Sequence, residues 1–258
     1  MRTNSKVANR VVWGIGWWGI VFLGFAQPVF HPWIASPWEP RIGAATFIGT
    51  DSLELYLGGY ARLFGSRWQG WQIGAEGFTI SRLRREAHFK FPVELIDYYF
   101  GVDYQHAGIT LNVPWQLRLR LGHISAHVVD GAFDRLPSFV YSQEFVTATL
   151  RLIFAQLHVL GEIAYLFSVL PAQLDRLQPA VGATLHLAVS GYLFLAGYQL
   201  RNTGIAGDRF WNHRIVLQVW PPALPLYFQL SFYNGKSYHG MLYDRTERFA
   251  TFGVFVVP

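Results

Sequence analysis

Apolar and polar side chains alternate with period two along most of this chain, and no window after residue 27 carries the ~18 uninterrupted apolar residues of a membrane helix. Successive side chains of a strand point to opposite faces, so such a pattern builds sheets with one apolar and one polar face. Val181, Ala183, Leu185, Leu187 and Val189 fall on one side of a strand, with Gly182, Thr184, His186 and Ala188 on the other. Leu157, Val159, Ile163, Tyr165 and Phe167 oppose His158, Glu162 and Ser168; Trp115, Leu117, Leu119 and Leu121 oppose Gln116, Arg118 and Arg120. A helix would put Arg118 and Leu121 on one face. With 52% hydrophobic, 17% aromatic and 14% charged residues, there is too much apolar surface for a water-soluble sandwich. Lipid on the outer face resolves that excess.

The alternation predicts twelve strands, at 41–50, 53–64, 69–80, 92–105, 114–127, 143–154, 157–168, 178–189, 191–201, 212–220, 226–234 and 247–257. After the first pair, every odd-numbered connection is longer than its even neighbours. An even count with alternating loop lengths is what an antiparallel up-and-down barrel of the outer membrane shows, with long loops outside the cell and short turns in the periplasm. The expected fold is therefore all-β, a transmembrane barrel of about twelve strands over residues 41–258.

Ahead of it, residues 1–10 are polar and basic, 11–26 are continuously apolar, and Gly24-Phe25-Ala26 provides small residues for cleavage. This succession predicts a signal peptide over 1–26, followed by a periplasmic lead-in over 27–40. The formal charge of +5 rests largely on Arg2, Lys6 and Arg10; without them 18 cations face 16 anions, +2, and no case for nucleic acid remains. An exported chain with no cysteine has no disulfides to stabilise it. The sequence implies no cofactor and no metal.

Parity also sorts the interior. Asp97, Tyr99 and Asp103 on the fourth strand and Arg118 and Arg120 on the fifth point inward, where the arginines are expected to pair with the aspartates. Twelve strands fall short of the 16–18 that leave an aqueous channel, so side chains should fill most of the lumen. The ten tryptophans and many tyrosines read as interfacial girdles.

One cluster carries chemistry. His123, Ser125 and His127 share the outward parity of Leu121, and the following strand offers Glu144, outward and expected roughly opposite His127. A histidine two residues from a serine on one face has its Cα about 6.6 Å away, within reach for an imidazole to act on the hydroxyl as its base. His123 and His127 lie about 13 Å apart, too far to share one metal ion. The loop after them adds Asp130, Asp134 and Arg135, which with His127 could assemble a binding site instead.

The His-x-Ser spacing resembles two families of outer-membrane barrel enzymes, the outer-membrane phospholipase A and the lipid A deacylase. That resemblance implies His123 as base, Ser125 as nucleophile, Glu144 as third member and membrane lipid, lipopolysaccharide included, as partner. Those enzymes place Asn after the serine, where this chain has Ala126. A broader resemblance covers nearly the whole exported part. The segment Phe30-His31-Pro32-Trp33-Ile34-Ala35-Ser36-Pro37, the run His123-Ile124-Ser125-Ala126-His127-Val128-Val129-Asp130 and the late Tyr233-Asn234-Gly235, His239-Gly240 and Tyr243 are similar to the bacterial domain-of-unknown-function family numbered 1207. It implies an exported barrel and no established reaction; Ala126, Val129 and Gly131 depart from its central pattern. The sequence thus ranks a structural or ligand-binding barrel first, a lipid ester hydrolase second and a narrow pore third.

Overall fold

The computed structural model describes residues 29–257 apart from Asp130 and Ser138; the expected signal peptide lies outside the described residues. Twelve antiparallel strands close into one barrel. They are β1 (Gly43–Phe47), β2 (Ser52–Ser66), β3 (Trp71–Arg84), β4 (Val93–Thr110), β5 (Val113–Val128), β6 (Tyr141–Phe154), β7 (Leu157–Leu170), β8 (Leu177–Val189), β9 (Tyr192–Ile205), β10 (Asp208–Trp220), β11 (Leu226–Lys236) and β12 (Thr246–Val256). Each pairs with its neighbour in sequence, and β1 closes the ring on β12, with Gly43 opposite Phe255. Closure leaves no free edge, so every strand finds its backbone partners within the wall.

All twelve expected strands are present, and the parity read from the sequence is the parity of the wall except at Ser168, past a bulge in the β6–β7 pairing. On β5 the buried positions are Gln116, Arg118, Arg120, Gly122, Ile124, Ala126 and Val128, while Leu119 and Leu121 are exposed. On β7 and β8 Ile163, Tyr165, Phe167, Val181, Leu185 and Leu187 form the exposed apolar band. The expected connection at 202–211 is instead a two-residue hairpin, Ala206-Gly207, both with positive φ. Its flanks looked like loop because they are polar on both faces: Asn212 donates to Thr203 Oγ1 at 2.8 Å beside the lumen cavity, while the exposed Arg209 donates to Asn202 Oδ1 at 3.0 Å and pairs with Asp175.

The largest departure from expectation is the lead-in. Residues 29–42 do not wait outside the barrel; they run through its interior, where Phe30, Trp33, Ala35 and Glu39 are buried. Phe30, Trp33 and Ala35 pack against Leu160, Ala180 and Val216 from the wall. Glycines in the wall make the notch for them: a Cβ at Gly182 would sit 2.5 Å from the Trp33 ring, and one at Gly197 would sit 2.6 Å from the Ile34 side chain. From the long-loop end, the β11–β12 connection folds inward and buries Tyr238, His239, Met241 and Leu242. A plug and an inward loop thus fill the lumen from two directions.

The plug also re-pairs the interior charges. Arg118 donates to both oxygens of Glu39, at 2.9 and 2.6 Å, and Arg120 bridges Glu39 at 3.1 Å and Glu76 at 2.5 Å. The pairing expected with Asp97 and Asp103 does not form. Asp97 is held by His239 at 2.6 Å and by the Gly240 amide at 2.7 Å, and Asp103 accepts from Gln105 at 2.6 Å. Register alone places Asp103 opposite Arg120, but Arg120 turns to Glu39 and Glu76, and the plug delivers Glu39 where Arg118 can grip both of its oxygens.

Candidate functional site

On the outer wall near the long-loop end, β5 presents His123, Ser125 and His127 between β4 and β6. The ladder sets His123 opposite Glu144, and the His123 Nδ1 to Glu144 Oε1 distance is 3.0 Å. The sequence reading placed Glu144 opposite His127; register puts it two residues earlier, beside the histidine that carries the His-x-Ser spacing. Ser125 lies opposite Ser142 on β6 and Tyr98 on β4.

Two residues that sequence reasoning missed complete the surroundings of Glu144. Ser142 donates to Glu144 Oε1 at 3.1 Å. Ser168 lies opposite Glu144 because a bulge between Glu144 and Phe145 shifts the register of β7. Parity could have found Ser142. It assigned Ser168 inward, since one extra residue reverses every later side chain.

His123 and Glu144 keep about a third or more of their side-chain surface exposed, 40% and 33%, so the pair is reachable from outside the wall. With Nδ1 engaged by the carboxylate, Nε2 is the ring nitrogen left to face a hydroxyl, the division of labour that a base in a hydrolytic triad needs. Among the described residues no hydrogen bond joins Ser125 to His123. Ala126 points into the lumen, beside Gly240 and Tyr141 of the inward loop's packing, so a longer side chain there would collide with the interior rather than serve the outer face.

The other loop candidates do not converge. His127 stands edge-on to Tyr98 at 5.8 Å between ring centroids. Arg135 is tied to Glu94 of β4 at 2.7 Å and to the Gly131 carbonyl, and Asp134 lies 3.6 Å from Arg135 with most of its surface in solvent. Asp130 lies outside the described residues. Among the described residues no group of three or more histidines or carboxylates is placed to hold a metal ion.

No family model and no curated protein matches this chain. Solved structures do. The outer membrane phospholipase (OMPLA) of Salmonella typhi, a dimer with bound calcium, aligns with a TM-score of 0.62 at 12% identity over 88% of this chain and 93% of its own. Outer membrane phospholipase A from Escherichia coli aligns at 0.60 and 14% identity over 90% and 95%. LpxR from Salmonella typhimurium aligns more distantly, at 0.42 and 8% over 80% and 88%. At these identities the likeness to the phospholipases is one of fold.

Proposed function

The chain is an outer-membrane-type β-barrel, and we propose that it is exported to the outer membrane of a Gram-negative-type bacterium, belongs with the family numbered 1207, and hydrolyses ester bonds of lipids in the outer leaflet. One observation carries the reading: Glu144 grips the Nδ1 side of His123, and Ser125 follows two residues later on the same lipid-facing strand. In the proposed reaction Ser125 Oγ attacks the ester carbonyl carbon while its proton passes to His123 Nε2. Collapse of the tetrahedral intermediate breaks the ester C–O bond, and His123 returns the proton to the departing alcohol oxygen. Water, deprotonated by His123, then attacks the acyl-serine, releasing the fatty acid and restoring Ser125. Glu144 fixes the imidazole tautomer and offsets the charge the ring gains in each step.

Detergent-folded protein should release fatty acid from phospholipid or from lipid A, and Ser125→Ala should lower that release by about 10³-fold or more with the barrel intact. No release by the natural sequence, or equal release by Ser125→Ala, overturns the reading and leaves a structural or ligand-binding barrel. The filled lumen is the observation on the side of that second reading.

A further inference from the structure

The upper lumen contains a cavity of about 60 Å³ between Trp38 of the plug and Tyr238 and Tyr243 of the inward loop. Its lining includes the cations Arg201, Arg214 and Lys236 and no carboxylate. Two of these cations are engaged. Arg201 is paired with Glu162 at 2.5 Å, and Lys236 donates to the Asp244 carbonyl at 2.7 Å.

Arg214 is different. It is 3% exposed, it forms no ion pair among the described residues, and its Nη1 has no hydrogen-bond partner. Its guanidinium carbon lies over the Tyr238 ring, 5.8 Å from the ring centre. The carboxylates of this region are turned to other groups: Glu54 is held by His239, Tyr238 and Tyr56, Glu162 by Arg201, and Glu247 by Arg82 through Oε1, with Glu247 Oε2 unpartnered among the described residues. A second buried donor on the same cavity, Gln199 Nε2, is also unpartnered. A buried guanidinium with no counter-charge is strongly unfavourable, and a neutral amide beside it with no acceptor adds to the imbalance.

We infer that this cavity is a binding site for a small oxyanion, a phosphate or carboxylate group, held by Arg214 with Gln199 as a second donor. The chemistry fits the space: at roughly 10–15 Å³ per water-sized position, the cavity accommodates one such group or a few waters. The planar guanidinium presents paired donors that match two oxygens of one anion. Trp38, Tyr233 and Tyr238 in the lining lower the local polarity, which strengthens charge-assisted bonds. The site is inside the lumen and shares no residue with the outward-facing His123 cluster, so it stands or falls independently of lipid hydrolysis.

Calorimetric titration of the detergent-folded full chain at fixed sodium chloride, with inorganic phosphate in one arm and acetate in the other, tests it and tells the two anion classes apart. Saturable binding of at least one is expected, weakened about tenfold or more in Arg214→Gln and less strongly in Gln199→Met, with both variants still shifting mobility on boiling as closed barrels do. Absence of saturable binding in both arms, or unchanged affinity in Arg214→Gln, overturns the inference. Should Arg214→Gln not fold, unchanged affinity in Gln199→Met overturns it.

Discussion

Two arginines one dyad apart on β5 are buried together because Glu39 reaches both and Glu76 adds a second carboxylate to Arg120. Burial by itself pushes the Glu39 carboxyl up, but the Arg118 and Arg120 guanidinium groups, with the Trp33 backbone, hold it down at about 2. Glu39→Ala removes the shared partner, leaves Arg118 with no carboxylate in contact, and should cost about 3 kcal/mol, read as a lower unfolding midpoint in denaturant. Asp103→Ala should cost less, since Asp103 is bonded by the neutral side chains of Gln105 and Tyr60 and leaves no arginine unpaired. An equal loss in the two variants would refute this pairing. The inward parity of Arg118 and Arg120 was legible because alternation is a property of β5 itself. Their partner was not, because Glu39 sits in a segment without periodicity, and only the closed barrel decides that it runs inward. The outer cluster divides the same way: His123 and Ser125 were legible from parity, whereas the pairing of Glu144 with His123 depends on register across a loop of unpredictable slack.

The β11–β12 connection behaves as an element in its own right, a short 3₁₀ turn over Gly240–Leu242 that descends into the barrel. His239 anchors it between Asp97 at 2.6 Å and Glu54 at 3.1 Å. Burial works against the charged imidazole, yet Asp97 and Glu54 outweigh it and raise its pKa from 6.5 to about 10. A histidine raised in the folded state contributes stability that is complete below its unfolded value, about 6.5, and is lost as pH climbs through about 10. The unfolding midpoint should therefore fall between pH 7 and 10, and His239→Gln should be less stable at pH 6 while showing a flatter alkaline slope. An alkaline slope in His239→Gln as steep as the parent's would show that another group drives it. Nothing in the period-two pattern marks this loop, since burial here comes from tertiary enclosure rather than from a strand face; the twelve strands themselves were visible because lipid and lumen impose opposite chemistries on alternate residues.

At the scale of the molecule, strand number, plug and inward loop act together on one property, permeability. Twelve strands enclose too narrow a lumen for an open channel, and side chains from the wall would fill only part of it. The rest is closed at one level by Phe30, Trp33 and Ala35 against β7, β8 and β10, and at another by Tyr238, His239 and Met241. Arg118 and Arg151 stack over Phe30 at 4.3 and 4.6 Å, so the plug is fixed by cation–π contacts as well as by Glu39. The two closures are built from different buried residues, and the plug touches the second at Trp38. The full protein in a planar lipid bilayer should accordingly show no steady ionic conductance. Deleting residues 29–38 alone, with Glu39 retained to hold Arg118 and Arg120, should leave the inward loop in place and open at most brief, low-conductance events. Combining that deletion with His239→Gln should convert them to sustained conductance, a rise of roughly tenfold or more in open time if the second anchor is worth ~1.4 kcal/mol or above. Sustained current through the full protein, or no current through the combined variant with its barrel intact, would mean that the lumen is not closed at these two levels.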